Sequence, residues 1–249
     1  MKRLFRAAAV ASLMAASGYA STLYVLTSNG TAYSVSSSGG AATAIATQAG
    51  LTTLADVNGE LYGLTNAGAL YDVAYTGGSF TSVATGLATG ITALTADSAG
   101  NLWAVSGTTL YEYSTSGTQL FTHALTGISG TAGDLDFYGG VLYLSAGTTA
   151  TLYSVNTTTG AAASAGTITP TQTTVGMAHG AGLLYGFNTT QVFTLTTTGG
   201  TAGAANITGL GGGNNIIDAA DAIPEPATFG FIGLGLVALG GLAHRRRKP

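Results

Sequence analysis

The chain has 249 residues, of which 46% are hydrophobic and only 7% charged, with a formal net charge of −3. Its seven basic residues all lie at the ends, as Lys2, Arg3 and Arg6 and as Arg245, Arg246, Arg247 and Lys248, while its ten acidic residues lie between Asp56 and Glu225. A middle without Lys or Arg excludes a nucleic-acid surface and the usual Arg clamp on anionic ligands, and the absence of cysteine excludes a disulfide framework and a thiolate nucleophile.

Residues 1–20 read as a secretory signal peptide. Lys2, Arg3 and Arg6 give the positive start, Ala7 to Ala16 the short apolar stretch, and Gly18-Tyr19-Ala20 the small-residue approach to a cleavage site. Signal peptidase is expected to cut between Ala20 and Ser21.

Residues 21–222 are an internal repeat. A Leu-aromatic pair recurs as Leu23-Tyr24, Leu61-Tyr62, Leu102-Trp103, Leu142-Tyr143 and Leu184-Tyr185, at steps of 38, 41, 40 and 42 residues. A second aromatic follows each pair: Tyr33, Tyr71, Tyr111, Tyr153 and Phe193. Each unit holds four short runs with the alternation of half-buried strands. In the second unit these are Leu51–Asp56, Leu61–Thr65, Leu70–Tyr75 and Phe80–Leu87. A four-stranded unit of ~40 residues, repeated, predicts an all-β fold: a five-bladed β-propeller. The first unit lacks its first strand, and Asn214 to Asp221 resembles the missing one. That run is expected to complete the first blade and close the ring. The stretch Leu152-Tyr153-Ser154-Val155-Asn156 with Thr159-Gly160 loosely resembles NHL-like and quinoprotein-like propeller repeats. In the turn after each first strand, Asp56, Asp97, Asp136 and His179 each stand three residues before a glycine. The aspartates are read as caps on backbone N–H groups, with Ca²⁺ binding by the column as the alternative.

Residues 223–249 change character. Ile223-Pro224-Glu225-Pro226 precedes Ala227 to Ala243, 17 residues without charge, predicted as a transmembrane helix. The tail 244–249 follows, with Arg245, Arg246, Arg247 and Lys248 as a cytoplasmic stop-transfer cluster. Gly233-Leu234-Gly235-Leu236-Val237-Ala238 fits a dinucleotide-binding pattern, but no strand precedes it and it lies in the apolar span, so it is discarded. Pro-Glu-Pro, an apolar helix and a terminal Arg cluster, in that order, resemble the PEP-CTERM sorting signal. The resemblance implies that an exosortase-type membrane protease recognises Pro224, Glu225 and Pro226 and processes the chain nearby. It also implies a link to exopolysaccharide-producing Gram-negative bacteria. The protein is then exported, held at the inner membrane by its C-terminal helix, and passed to the cell envelope or the exterior.

Chemistry is sparse. Only His123 and His179 occur in the exported part, with no HxH or HExxH spacing, so no metal ligand set, catalytic set or cofactor is expected. His123 is read as facing solvent on an outer strand. Asp134 and Asp136, two apart on a first strand, share a face and are the best carboxylate pair for a glycosidase-like or Ca²⁺ site. The reading is a non-enzymatic envelope or matrix platform that contacts exopolysaccharide or envelope proteins. The alternative is a secreted polysaccharide-active enzyme using Asp134 and Asp136.

Overall fold

A computed structural model describes residues 20–221, apart from 75, 130, 147, 148, 170–172 and 213. The predicted signal peptide up to residue 19, the Pro224-Glu225-Pro226 motif, the span over 227–243 and the Arg245–Lys248 cluster lie outside the described residues.

The described chain contains 21 strands and no helix. The first blade uses β1 (Thr22–Thr27), β2 (Thr31–Ser36) and β4 (Thr43–Thr47), while the two-residue β3 (Gly40–Ala41) between β2 and β4 joins the sheet of the fifth blade. The second is β5 (Leu51–Val57), β6 (Glu60–Thr65), β7 (Ala69–Ala74) and β8 (Thr81–Thr85). The third is β9 (Ile91–Ala96), β10 (Leu102–Ser106), β11 (Thr109–Tyr113) and β12 (Gln119–Ala124). The fourth is β13 (Ala132–Tyr138), β14 (Val141–Ala146), β15 (Thr151–Val155) and β16 (Ala162–Thr167). The fifth is β17 (Gly176–Gly180), β18 (Leu183–Phe187), β19 (Gln191–Leu195) and β20 (Thr201–Thr208), and β21 (Ile216–Ala220) comes last. Each blade is an antiparallel meander, as short turns dictate. Strands β5, β9, β13, β17 and β21 are innermost, each packed against its two neighbours in a ring. This is the five-bladed propeller that the repeat predicts.

Closure follows the expected route. Strand β21 pairs antiparallel with β1, so the first blade takes its innermost strand from the far end of the repeat region and the others from its start. Ile216 pairs with Thr27 and Asp218 with Leu26, which makes Ile217 the extra residue of a bulge. A second joint lies at the rim, where β3 runs parallel to β20, with Gly40 opposite Ile207 and Ala41 opposite Thr208. Thr126 with Ala161 and Thr169 with Gly200 repeat that parallel bridge between other neighbouring blades.

The core lies between blades. Leu23, Leu61, Leu102, Leu142 and Leu184 are each no more than 2% exposed. Five apolar clusters fill the five interfaces; Leu23, Val25 and Tyr33 of the first blade meet Tyr185, Phe187 and Val192 of the fifth. Fully burying one such leucine contributes about 2 kcal/mol. Trp103 is also core: it packs on Phe121 and Phe137, and its indole N–H donates to Asp97 at 3.0 Å. Gly160 sits where the fourth blade touches the third. Its φ is +72°, and a Cβ there would lie 2.3 Å from the Ala124 carbonyl oxygen. Only glycine meets both demands.

Candidate functional site on the propeller axis

The inner strands carry polar residues where a β-sheet core normally carries none. Asp134 on β13 and Asp218 on β21 are both fully buried. Each occupies the same place in its blade, two residues before the residue that pairs with the Leu-aromatic column: Asp136 opposite Tyr143, Ala220 opposite Tyr24. Each reaches the next inner strand. Asp134 Oδ2 accepts from the Met177 N–H at 2.5 Å, and Asp218 Oδ2 accepts from the Leu54 N–H. Asp134 Oδ1 also accepts from the Leu135 N–H at 2.7 Å. The two carboxyls meet across the axis, and burial pushes both well above the usual carboxylate range. As two carboxylates they leave Asp218 Oδ1 without a donor.

A second tier lies at the C-terminal ends of the inner strands. His179 of β17 stands between Asp136 of β13 and Asp221, the residue after β21. Its Nδ1 is 3.1 Å from Asp136 Oδ1 and 2.9 Å from Asp221 Oδ1. The His179 backbone N–H donates to Asp221 Oδ1 at 3.0 Å, which fixes Asp221 on the fifth blade. The His179 side chain is 38% exposed and that of Asp136 is fully buried, so the cluster opens to solvent on one side. Tyr138 flanks it: its ring lies edge-on to His179, and its hydroxyl donates to the Gly182 carbonyl at 2.6 Å. Burial acts to lower the His179 pKa, but its hydrogen bonds to Asp136 and Asp221 outweigh this and push it up to about 11. Asp56, from the second blade, is pushed up to about 7 by burial and by the charge of Asp221.

Several expectations are thereby corrected. The turn column is not one column. Asp97 caps its turn, accepting from the Ala99 and Asn101 N–H groups at 2.9 Å each, and Asp56 bonds the Gly59 backbone. Asp136 and His179 bond each other instead, from adjoining inner strands. Asp136 also stands one pairing position away from Asp56 and His179: it lies opposite Tyr143, whereas Asp56 lies opposite Leu61 and His179 opposite Leu184. Alternation then sends Asp136 to the other face of its blade. Asp134 and Asp136 both turn inward, and each engages a different partner, the Met177 N–H and His179 respectively. His123 does sit on outer strand β12, but it is half-buried, its ring edge-on to Phe121 with centroids 3.9 Å apart and its Nε2 without a partner. The fourth blade covers it: a Cβ on Gly160 would stand 2.9 Å from the His123 Cβ. Ser21 is tied to the first blade by a bond from its N–H to Ser37 Oγ at 2.9 Å, and Ala20 before it is exposed. The convergence of His179 with Asp221 has no local spacing to announce it. The available signal was a set of aspartates in strand runs with no Lys or Arg to face them.

Fold and site define an all-β five-bladed propeller with an acid-rich axis, closed by its last strand. Directly after that strand, residues 222–248 match the PEP-CTERM protein-sorting motif, so the chain carries this signal. The motif implies export, membrane anchoring at the C-terminus before processing, and processing by an exosortase-type membrane protease. No curated protein matches the chain. Among solved structures, the nidogen/laminin complex is similar at a TM-score of 0.53 and 12% identity, over 80% of this chain and 85% of that one. Glutaminyl cyclase of Myxococcus xanthus is similar at 0.52 and 18% identity, over 66% and 73%. A protein of unknown function from Bacteroides caccae is similar at 0.50 and 11%, over 81% and 98%. At such identities the likeness is one of fold.

Proposed function

We propose that the propeller is a non-enzymatic platform of the cell envelope or extracellular matrix that contacts exopolysaccharide or other envelope proteins. The observation that carries this is the position of the sorting motif: it begins at residue 222, immediately after the closing strand, so the whole ring is the cargo. The biofilm and exopolysaccharide link rests on the kind of system that reads such motifs. Two features support a role without catalysis. Asp134 and Asp136, the pair that glycoside hydrolysis would need, are both fully buried and held by other blades. The outer strands instead expose hydroxyls such as Thr43, Thr81, Ser82, Thr122 and Ser164, which suit weak, hydrated contacts to sugars.

The test uses the native host. Deletion is expected to reduce biofilm mass or secreted polysaccharide, and the processed protein is expected to bind that polysaccharide without shortening it. Depolymerisation abolished by Asp134→Asn or Asp136→Asn overturns the reading in favour of an enzyme.

A further inference from the structure

The axis concentrates acid without a matching cation. Asp56, Asp134, Asp136, Asp218 and Asp221 all come from or adjoin inner strands, and between Ala7 and His244 the chain has no Lys or Arg. His179 is the one imidazole among them. In the upper tier it serves two carboxylates with a single ring nitrogen, Nδ1, and one N–H cannot be a full donor to both. A second observation points the same way. Asp136 is completely buried, and its Oδ2 has no hydrogen-bond partner although its other oxygen is aimed at His179. The nearby Asp56 Oδ1 is buried and unpartnered too, and Asp56 feels the charges of both Asp221 and His179. A buried carboxylate oxygen without a donor or cation is costly and is ordinarily paired.

We infer that Asp136, His179 and Asp221 form a binding site for a divalent transition cation of the Zn²⁺ class, which clamps the closing strand to the fourth and fifth blades. The three residues each offer a donor atom, and those atoms lie within 4.8 Å of one another. Tetrahedral Zn²⁺ with ligand bonds near ~2.05 Å separates its donors by about 3.3 Å. The Nδ1–Oδ1 separations of 3.1 and 2.9 Å therefore need to open by only a few tenths of an ångström. One imidazole with carboxylates suits Zn²⁺ and its first-row neighbours, whereas Ca²⁺ and Mg²⁺ prefer all-oxygen sets. The 38% exposure of His179 provides the entry path.

The placement gives the clamp a purpose. Closure depends on the five residues of β21, and Asp221 follows them directly, one residue before the sorting motif. A pull from a membrane-anchored C-terminus arrives at Asp221 first and tends to peel β21 from β1. A cation shared by Asp221 with Asp136 and His179 carries that load into two other blades.

The test is a metal titration of the chelator-treated protein, and it does not depend on what the platform contacts. A ligand that binds only the folded ring raises the melting temperature with its concentration. Zn²⁺ is expected to bind one per chain and raise the melting temperature by about 5 °C or more at saturation, with little effect from Ca²⁺ or Mg²⁺. The shift is expected to vanish in His179→Ala and Asp221→Asn and to persist in Asp97→Asn, His123→Ala and His244→Ala. Co²⁺ bound to the wild-type protein is expected to give visible d–d bands of a low-coordinate N/O site, which keeps the test informative if His179→Ala does not fold. No Zn²⁺-dependent shift, no Co²⁺ bands, or a shift unchanged in His179→Ala overturns the inference.

Discussion

The backbone N–H of Leu54 in the second blade donates to the carboxylate of Asp218 in the closing strand, 164 residues further along the chain. Met177 and Asp134 repeat the arrangement two blades away. Each aspartate thus supplies an acceptor to an inner-strand N–H that has turned to the axis. Replacing Asp218 with alanine leaves the Leu54 N–H buried and unpaired and opens a small void, at a cost of about 2–4 kcal/mol. Asp218→Asn keeps an acceptor for Leu54 and offers Asp134 an N–H₂ donor. It is expected to stay within about 1 kcal/mol of the parent. Urea denaturation of the two variants measures the contrast.

The contact between neighbouring blades at Gly160 separates conformational strain from crowding. Gly50 has a φ of +84° and open space where a methyl would stand, while Gly160 has a φ of +72° and the Ala124 carbonyl oxygen 2.3 Å from that position. Gly50→Ala is expected to cost about 1–2 kcal/mol, the left-handed penalty alone. Gly160→Ala adds an overlap with backbone that cannot swing aside and is expected to cost about 3 kcal/mol or more. Equal losses in equilibrium unfolding contradict this account.

Much of the fold was legible in the sequence because the repeat is carried by residues that do one physical job. Leu23, Leu61, Leu102, Leu142 and Leu184 each fill an interface between blades, so the burial requirement itself writes the period. The closing strand was legible for the same reason, since Ile216, Ala219 and Ala220 serve the same interfaces as other inner strands. The axial cluster was not. It assembles from Asp136, His179 and Asp221, more than 40 residues apart from one to the next, and no local spacing encodes a meeting at a ring centre. Alignment on the turn glycines also put Asp136 and Asp56 in one column, although the pairing of Asp136 with Tyr143 and of Asp56 with Leu61 places them on different strand faces. Counting uncompensated aspartates in strand runs was the one available clue.

Metal-free protein is expected to lose stability as pH rises, the reverse of ordinary acid denaturation. Burial raises Asp134, Asp136 and Asp218 above the carboxylate range, and burial with the Asp221 charge brings Asp56 to about 7 from 3.8. A folded state that binds more protons than the unfolded one is favoured at low pH. The Asp56 contribution is complete below pH 3.8 and fades as pH rises through about 7. That of His179, raised to about 11, is complete below its unfolded value of 6.5 and persists until pH approaches 11. Melting temperatures in chelator should therefore decline from about pH 5 to pH 8. A rise over that interval refutes the raised carboxyls.

Closure by β21 makes the last strand separable from the sorting segment. A chain ended after Asp221 retains every described strand, and it is expected to melt cooperatively with the parent's midpoint. A chain ended after Gly212 loses Ile216, Ala219 and Ala220 from two interfaces and the Asp218 acceptor from Leu54. It also leaves the β1 edge, with its buried Leu23, Val25 and Leu26, unpaired on one side. An apolar, unpaired edge pairs with whatever strand it meets, so this chain is expected to aggregate or to populate an open ring. A peptide of residues 214–221 supplied in excess offers the missing strand, and strand addition to an open edge is favourable when alternate side chains find their pockets. Recovery of monomeric, cooperatively melting protein with that peptide, and none with a peptide carrying Asp218→Lys, is the expected result. A chain ended after Gly212 that melts like the parent would show that the ring does not depend on its closing strand.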